Sequence, residues 1–248
     1  MIIISNLNKK FGTKEVLRGI NLKIYPGESL VILGPSGCGK SVLLKHLIGL
    51  LQPDDGQILF DGEDVTRFSQ RKLDQLRMRM GMLFQSAALF DSLTVEENVG
   101  FGLRKHTNLG TTAIHHIVSE KLEMVGLPGT NHLMPSELSG GMRKRVGLAR
   151  AIAMDPEIIL YDEPTTGLDP IMTSAIDELH VKLKKELGVT SIVVTHDLNS
   201  AYRICDRLAL HYGGQIVAIG TKEEIIHSPN PLVQQFIRGE AKGPMTLL

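Results

Sequence analysis

Leu30-Val31-Ile32-Leu33-Gly34-Pro35-Ser36-Gly37-Cys38-Gly39-Lys40-Ser41-Val42-Leu43-Leu44 is the stretch that decides the fold. Leu30–Leu33 is a short apolar run bounded by turn residues, the pattern of a strand buried on both faces. From Ser41 onward, Leu43, Leu44, Leu47, Ile48 and Leu51 fall on one side of a helix, and Pro53 is expected to stop it. Between strand and helix, residues 34–41 fit the spacing G-x-x-x-x-G-K-[ST]. Glycines there let backbone N–H groups turn inward around a phosphate, and the helix N-terminus adds partial positive charge. Lys40 would reach the β- and γ-phosphates, and the Ser41 hydroxyl would hold Mg²⁺. With average amino-acid usage, the pattern arises by chance in roughly one chain in a hundred of this size. A purely structural glycine turn is therefore a weak alternative. Cys38 reads as a small residue of the loop rather than a reactive thiol, although a nearby helix N-terminus lowers a thiol pKa.

A second apolar run, Ile158-Ile159-Leu160-Tyr161, ends in Asp162-Glu163. A buried strand would deliver Asp162 to the Mg²⁺ shell, and Glu163 would orient or deprotonate an attacking water. Alone, an acidic pair after an apolar run is usually a helix cap. Downstream of a phosphate loop, nucleotide chemistry is the better reading.

Further strands are expected over 2–7, 21–33 (broken by the Pro26-Gly27 turn), 57–60, 81–84, 157–161 and 191–195. Asp61-Gly62 and Gly213-Gly214 are hairpin signals. Strands interleaved with helices imply α/β architecture with a mostly parallel sheet. The stretch 88–155 is instead helical in pattern, with Ile114, Val118, Leu122 and Val125 on one stripe closed by Gly126 and Pro128. It reads as a helical subdomain inserted into a core of 1–87 and 156–224, with a C-terminal helix and tail over 225–248. Thr221 with Glu224 forms a capping box. Asn230 caps a helix whose first residue is Pro231, and Leu232, Val233, Phe236 and Ile237 are its expected buried face. Gly239 to Leu248 lacks periodicity and reads as a tail ordered only by a partner.

The 27 basic and 27 acidic residues cancel, so nothing favours nucleic acid as a partner. Two cysteines are no disulfide framework and suit a reducing cytosol. The N-terminus reaches polar Ser5-Asn6 too early for a signal-peptide core, and no run of apolar residues is long enough to span a bilayer. A soluble chain is the expectation. His106, His115, His116 and His132 lack a metal-ligand spacing and read as solvated surface or partner contact. The basic 71–79 stretch reads as a solvated helix face.

Leu138-Ser139-Gly140-Gly141-Met142-Arg143-Lys144-Arg145-Val146 separates this chain from other phosphate-loop ATPases. It resembles the LSGGQ signature of ABC proteins, where Ser139, Gly140 and Gly141 at a helix start form another anion cradle. Read alone, it is a capped turn; in series with the other motifs it is not. The resemblance implies a RecA-like core with an antiparallel β subdomain and an inserted helical subdomain. It also implies head-to-tail homodimers in which each ATP lies between one phosphate loop and the partner's signature. Phe11 matches the aromatic that stacks on adenine, with a core aromatic as the alternative. Gln85 resembles the glutamine that senses Mg²⁺ and the water and signals to the membrane partner. Gly167-Leu168-Asp169-Pro170 looks like the loop that crosses the dimer interface, where Asp169 also suits an N-cap. His196, after Ile192-Val193-Val194-Thr195, resembles the switch histidine at the γ-phosphate; a lone histidine there would otherwise be polar surface. Met142 departs from the pattern, because a thioether cannot supply the amide hydrogen bonds of glutamine.

Residues 138–151 with Tyr161-Asp162-Glu163-Pro164-Thr165-Thr166-Gly167-Leu168-Asp169-Pro170-Ile171 look like the Mla-type subfamily, which drives bacterial phospholipid traffic between inner and outer membranes. That likeness implies an integral permease, an MCE-domain protein and a STAS-domain protein as partners. It also implies peripheral attachment at the cytoplasmic face of the inner membrane. An ATPase for import of amino acids or another small solute is the alternative, and a soluble iron–sulfur-assembly ATPase a further one. Chromosome-maintenance ATPases separate loop and signature by long coiled coils, whereas only residues 41–138 lie between them here. Translation-factor ABC proteins carry two motors per chain; this chain carries one.

Overall fold

The computed structural model describes residues 1–246, and the expectation for Leu247 and Leu248 lies outside the described residues. The chain divides into two compact units, Met1–Asp74 with Ile192–Leu248, and Gln75–Ser191.

In the first unit, strands β1 (Ile2–Phe11), β2 (Lys14–Ile24), β4 (Asp55–Phe60) and β5 (Glu63–Asp64) form an antiparallel sheet in the order β2-β1-β4-β5. Strand β3 (Ser29–Leu33) pairs in parallel with β9 (Arg207–Tyr212), and β9 pairs antiparallel with β10 (Gln215–Gly220). Strand β8 (Thr190–Thr195), which enters this unit at Ile192, is the other neighbour of β3. All five residues of β3 are buried, as a strand covered on both faces requires. Both hairpin signals hold: Asp61 and Gly62, and Gly213 and Gly214, all take positive φ.

The first strand runs on to Phe11, and most of β2 was not expected. Register shifts punctuate the β1–β2 pairing, with Asn6 and Gly19 left-handed, so buried Leu17 and Ile20 are three apart rather than two. A bulge breaks the alternation by which a strand is read. Helix α1 (Lys40–Leu47) buries Leu43, Leu44 and Leu47, but Gly49 (φ 63) ends it before Pro53, leaving Leu51 half-buried. A Cβ at Gly49 would sit 2.6 Å from Leu73 Cδ2.

The C-terminal part of this unit is capped as expected, by Thr221 with Glu224 on α9 (Lys222–Ile226) and by Asn230 on α10 (Pro231–Arg238). Val233 and Gln235 are the residues of α10 that become buried, while Leu232, Phe236 and Ile237 stay half-exposed. Gln235 explains the difference. Its side chain accepts from Met245 N at 2.6 Å and donates to the carbonyls of Glu240 and Met245, and Thr246 N donates to the Tyr212 hydroxyl at 2.8 Å. The tail to Thr246 thus meets its own chain at Gln235 and Tyr212.

The second unit pairs β6 (Met80–Leu83) in parallel with β7 (Ile158–Asp162). Its helices include α3 (Val95–Val99), α4 (Phe101–His106), α5 (Thr111–Met124), α6 (Gly140–Ile152) and α7 (Pro170–Leu187), while α2 (Gln70–Met78) spans the division between the units and α8 (Leu198–Ile204) belongs to the first. The stripe Ile114, Val118, Leu122 and Val125 is buried and Gly126 turns at φ 73, as expected. In this unit α6 packs on β6: a Cβ on Gly81 would sit 2.2 Å from the Ala151 carbonyl oxygen, and one on Gly147 2.9 Å from Leu83 Cδ1. The four histidines His106, His115, His116 and His132 are exposed.

Candidate nucleotide-hydrolysis site

The loop 34–41 joins fully buried β3 to α1, and its turns fall on Gly37 (φ 78) and Gly39 (φ 108). Glycine suits both, since a Cβ disfavours this backbone. Close approach explains two of the glycines as well. A Cβ on Gly34 would lie 2.3 Å from the His211 carbonyl oxygen, and one on Gly39 2.8 Å from Val16 Cγ1. Around Gly37 there is open space within 4 Å. Lys40 is 5% exposed and donates to the carbonyls of Gly34 (2.7 Å) and Pro35 (3.1 Å), so its ammonium is held inside the loop. Ser41 is half-buried at the start of α1.

His211 is the residue of this region that the sequence reading missed. It is fully buried on β9, its Nδ1 lies 3.1 Å from Cys38 Sγ, and its Nε2 meets no hydrogen-bond partner among the described residues. Burial, helped by the charge of Lys40, pushes its pKa down to about 4. A neutral imidazole therefore underlies the loop. Cys38 is itself buried, in keeping with a small packing residue. In the same unit, Phe11 is 47% exposed with Lys9 Nζ 5.6 Å from its ring centre, so it is not a core aromatic. His196 is exposed just after β8.

The second unit carries the acidic pair. Asp162 and Glu163 are each 8% exposed at the end of β7. Glu163 is left-handed (φ 49), a conformation that costs a non-glycine residue about 1–3 kcal/mol and tends to persist at functional positions. Thr166 Oγ1 donates to Glu163 Oε2 at 3.2 Å. Gln85 follows β6 with its side chain exposed. Its carbonyl accepts from Lys144 Nζ, which also donates to the Glu163 carbonyl at 3.3 Å.

Ser139 is the N-cap of α6, accepting from Met142 N at 3.2 Å, so the capped-turn reading is correct as far as it goes. Ser139 and Gly140 are nevertheless exposed, with their N–H groups at the start of a thirteen-residue helix. Gly141 is buried, and a Cβ there would meet Met172 Cε at 2.1 Å. Asp169 caps α7, accepting from the N–H groups of Ile171 and Met172, and Ile171 beside it is 80% exposed. Lys144 and Arg150 of α6 were not singled out from sequence. The available signal was helical spacing, which puts Lys144 on the same face as Gly141, Leu148 and Ala151, all buried.

A buried strand, a glycine loop enclosing a lysine and a second buried strand ending in two carboxylates make a P-loop NTPase. A family model described as ABC transporter matches residues 17–166. The chain belongs to the ABC transporter family, as one of its ATP-binding, ATP-hydrolysing subunits. It is 46% identical to the intermembrane phospholipid transport system ATP-binding protein MlaF of Haemophilus influenzae, over 99% of this chain and 93% of that protein. It is 43% identical to the probable ribonucleotide transport ATP-binding protein mkl of Mycobacterium leprae, over 98% of this chain and 70% of that one. The dimeric, post-hydrolysis structure of the cassette MJ0796 bound to ADP and Pi matches with a TM-score of 0.81 and 34% identity, over 89% and 98% of the two chains. Among the described residues no helix is long and apolar enough to cross a membrane.

Proposed function

We propose that this chain powers phospholipid transport between bacterial inner and outer membranes, working as a homodimer beneath an integral permease. The observation that carries this reading is the near-full-length likeness to a phospholipid-transport ATP-binding protein. An MCE-domain and a STAS-domain protein complete the proposed assembly, at the cytoplasmic face of the inner membrane. Residues 88–155 are the proposed helical subdomain. The likeness to a relative named for ribonucleotide transport supports a second reading, a small-solute transporter.

Within that reading, Gly34, Pro35, Ser36, Gly37, Cys38, Gly39 and Lys40 cradle the phosphates of ATP, and Phe11 packs on the base. Ser41, Gln85 and Asp162 offer hydroxyl, amide and carboxylate oxygens, a hard donor set suited to Mg²⁺. The bound ion would supply charge neutralisation at the phosphates. Glu163 takes a proton from, or orients, the water that attacks the γ-phosphate, and His196 stabilises the transferring group. Ser139, Gly140 and Gly141 bind the partner subunit's nucleotide through their N–H groups, with Asp169 beside them at the dimer interface. Met142 contributes no side-chain amide.

Purification of the tagged chain from detergent-solubilised membranes of its host tests the reading. A permease, an MCE-domain protein and bound phospholipid are expected to come with it. A permease with a solute-binding protein would favour the second reading, and recovery without any membrane protein would contradict both.

A further inference from the structure

Three consecutive cations, Arg143, Lys144 and Arg145, follow Gly140-Gly141-Met142 in α6, and the helix turns the middle one inward: Lys144 is 5% exposed. Its ammonium donates to two backbone carbonyls, those of Gln85 and Glu163. Burial lowers its pKa, and the charges of Asp162 and Glu163 oppose that shift. Six residues on, Arg150 donates at 2.7 Å to each of the carbonyls of Ala87 and Ala88, both left-handed. One helix thus grips the loop 85–88 with two cations, and through the first of them also grips Glu163.

A buried ammonium is costly where an apolar side chain would fill the same space at no electrostatic cost. Strained backbone such as that of Glu163, Ala87 and Ala88 persists only where its surroundings over-determine it. We propose that Lys144 is a positioning residue for ATP hydrolysis, fixing Gln85 and Glu163 relative to the helix that begins at Ser139. This rests on the roles assigned above to Gln85 and Glu163. Lys144 donates to main-chain carbonyls, so it acts by holding the backbone of the residues assigned to the ion and the water.

The test compares Lys144→Met, Lys144→Arg, Lys121→Met and Glu163→Gln in the complex purified through the tagged chain. Lys121 is an equally buried lysine of the same unit, but it pairs with Asp155 at 2.8 Å. Lys144→Met is expected to lower kcat about 100-fold, the scale of a small misplacement of reacting groups, with little change in KM for ATP. Lys144→Arg should recover most of the rate. Lys121→Met should lower the melting temperature and keep kcat. If Lys144→Met does not fold, Lys144→Gln, whose shorter side chain keeps an amide NH2, stands in with a smaller expected loss of kcat, about 10-fold. A folded Lys144→Met within about twofold of the parental kcat would overturn the proposal. So would a fall in rate that only tracks melting temperature in both lysine variants. Normal turnover by Glu163→Gln would instead remove the role of Glu163, and the proposal with it.

Discussion

The phosphate loop and the loop after β6 both carry left-handed backbone, reached by opposite means. In the first, Gly37 and Gly39 supply the positive φ, and the chain needs no outside help to turn. In the second, Ala87 and Ala88 take φ of 62 and 46, and at the end of β7 Glu163 takes 49. These residues are held by Lys144 and Arg150. A conformation encoded by glycine is local and readable from a motif. One imposed by a cation from another helix is tertiary, and it depends on where that helix packs. The first suits a rigid cradle and the second suits a part that must respond.

The largest effect that would sharpen this contrast lies under the cradle. His211 has an ordinary value of 6.5 when unfolded and about 4 when folded. The folded state therefore disfavours its protonated form. Its contribution is fully present above pH 6.5 and is lost as pH falls toward about 4. Between about pH 7.5 and pH 5 the parental chain should lose about 2 kcal/mol more stability than His211→Leu. Urea denaturation of both at the two pH values measures the difference; parallel losses would mean the imidazole is not held neutral by the fold.

Smaller effects come from exchanging the two solutions. Gly37→Ala puts a methyl into open space but at φ 78, so its cost of about 1 kcal/mol is conformational. Ala88→Gly, at an exposed position, should be neutral or stabilising by up to about 1 kcal/mol, with ATP turnover slowed if the loop must be held stiff. Denaturation midpoints check both. A destabilised Ala88→Gly would break the claim that its backbone is strained.

The legible parts of the molecule are those whose signals are local. Leu30–Ser41, the Gly213-Gly214 hairpin, the Thr221 capping box and the α5 stripe follow from spacing alone. Most of β2 was hidden because bulges near Asn6 and Gly19 shift which residues face inward. The end of α1 falls earlier than expected because left-handed Gly49 ends it before Pro53. Each motif residue could be named from the family resemblance, yet what holds it could not. Helical spacing puts Lys144 on the face of Gly141, Leu148 and Ala151, but its carbonyl partners on Gln85 and Glu163 come only with the fold. His211 meets the phosphate loop from far along the sequence.

In the proposed mechanism Glu163 drives hydrolysis, with its backbone held by Lys144 of α6. Steady-state ATP hydrolysis by Glu163→Gln, with the bound nucleotide and oligomeric state read on the same sample, tests it most directly. Loss of turnover together with a dimer that retains ATP is the expected result; turnover at the parental rate would contradict it.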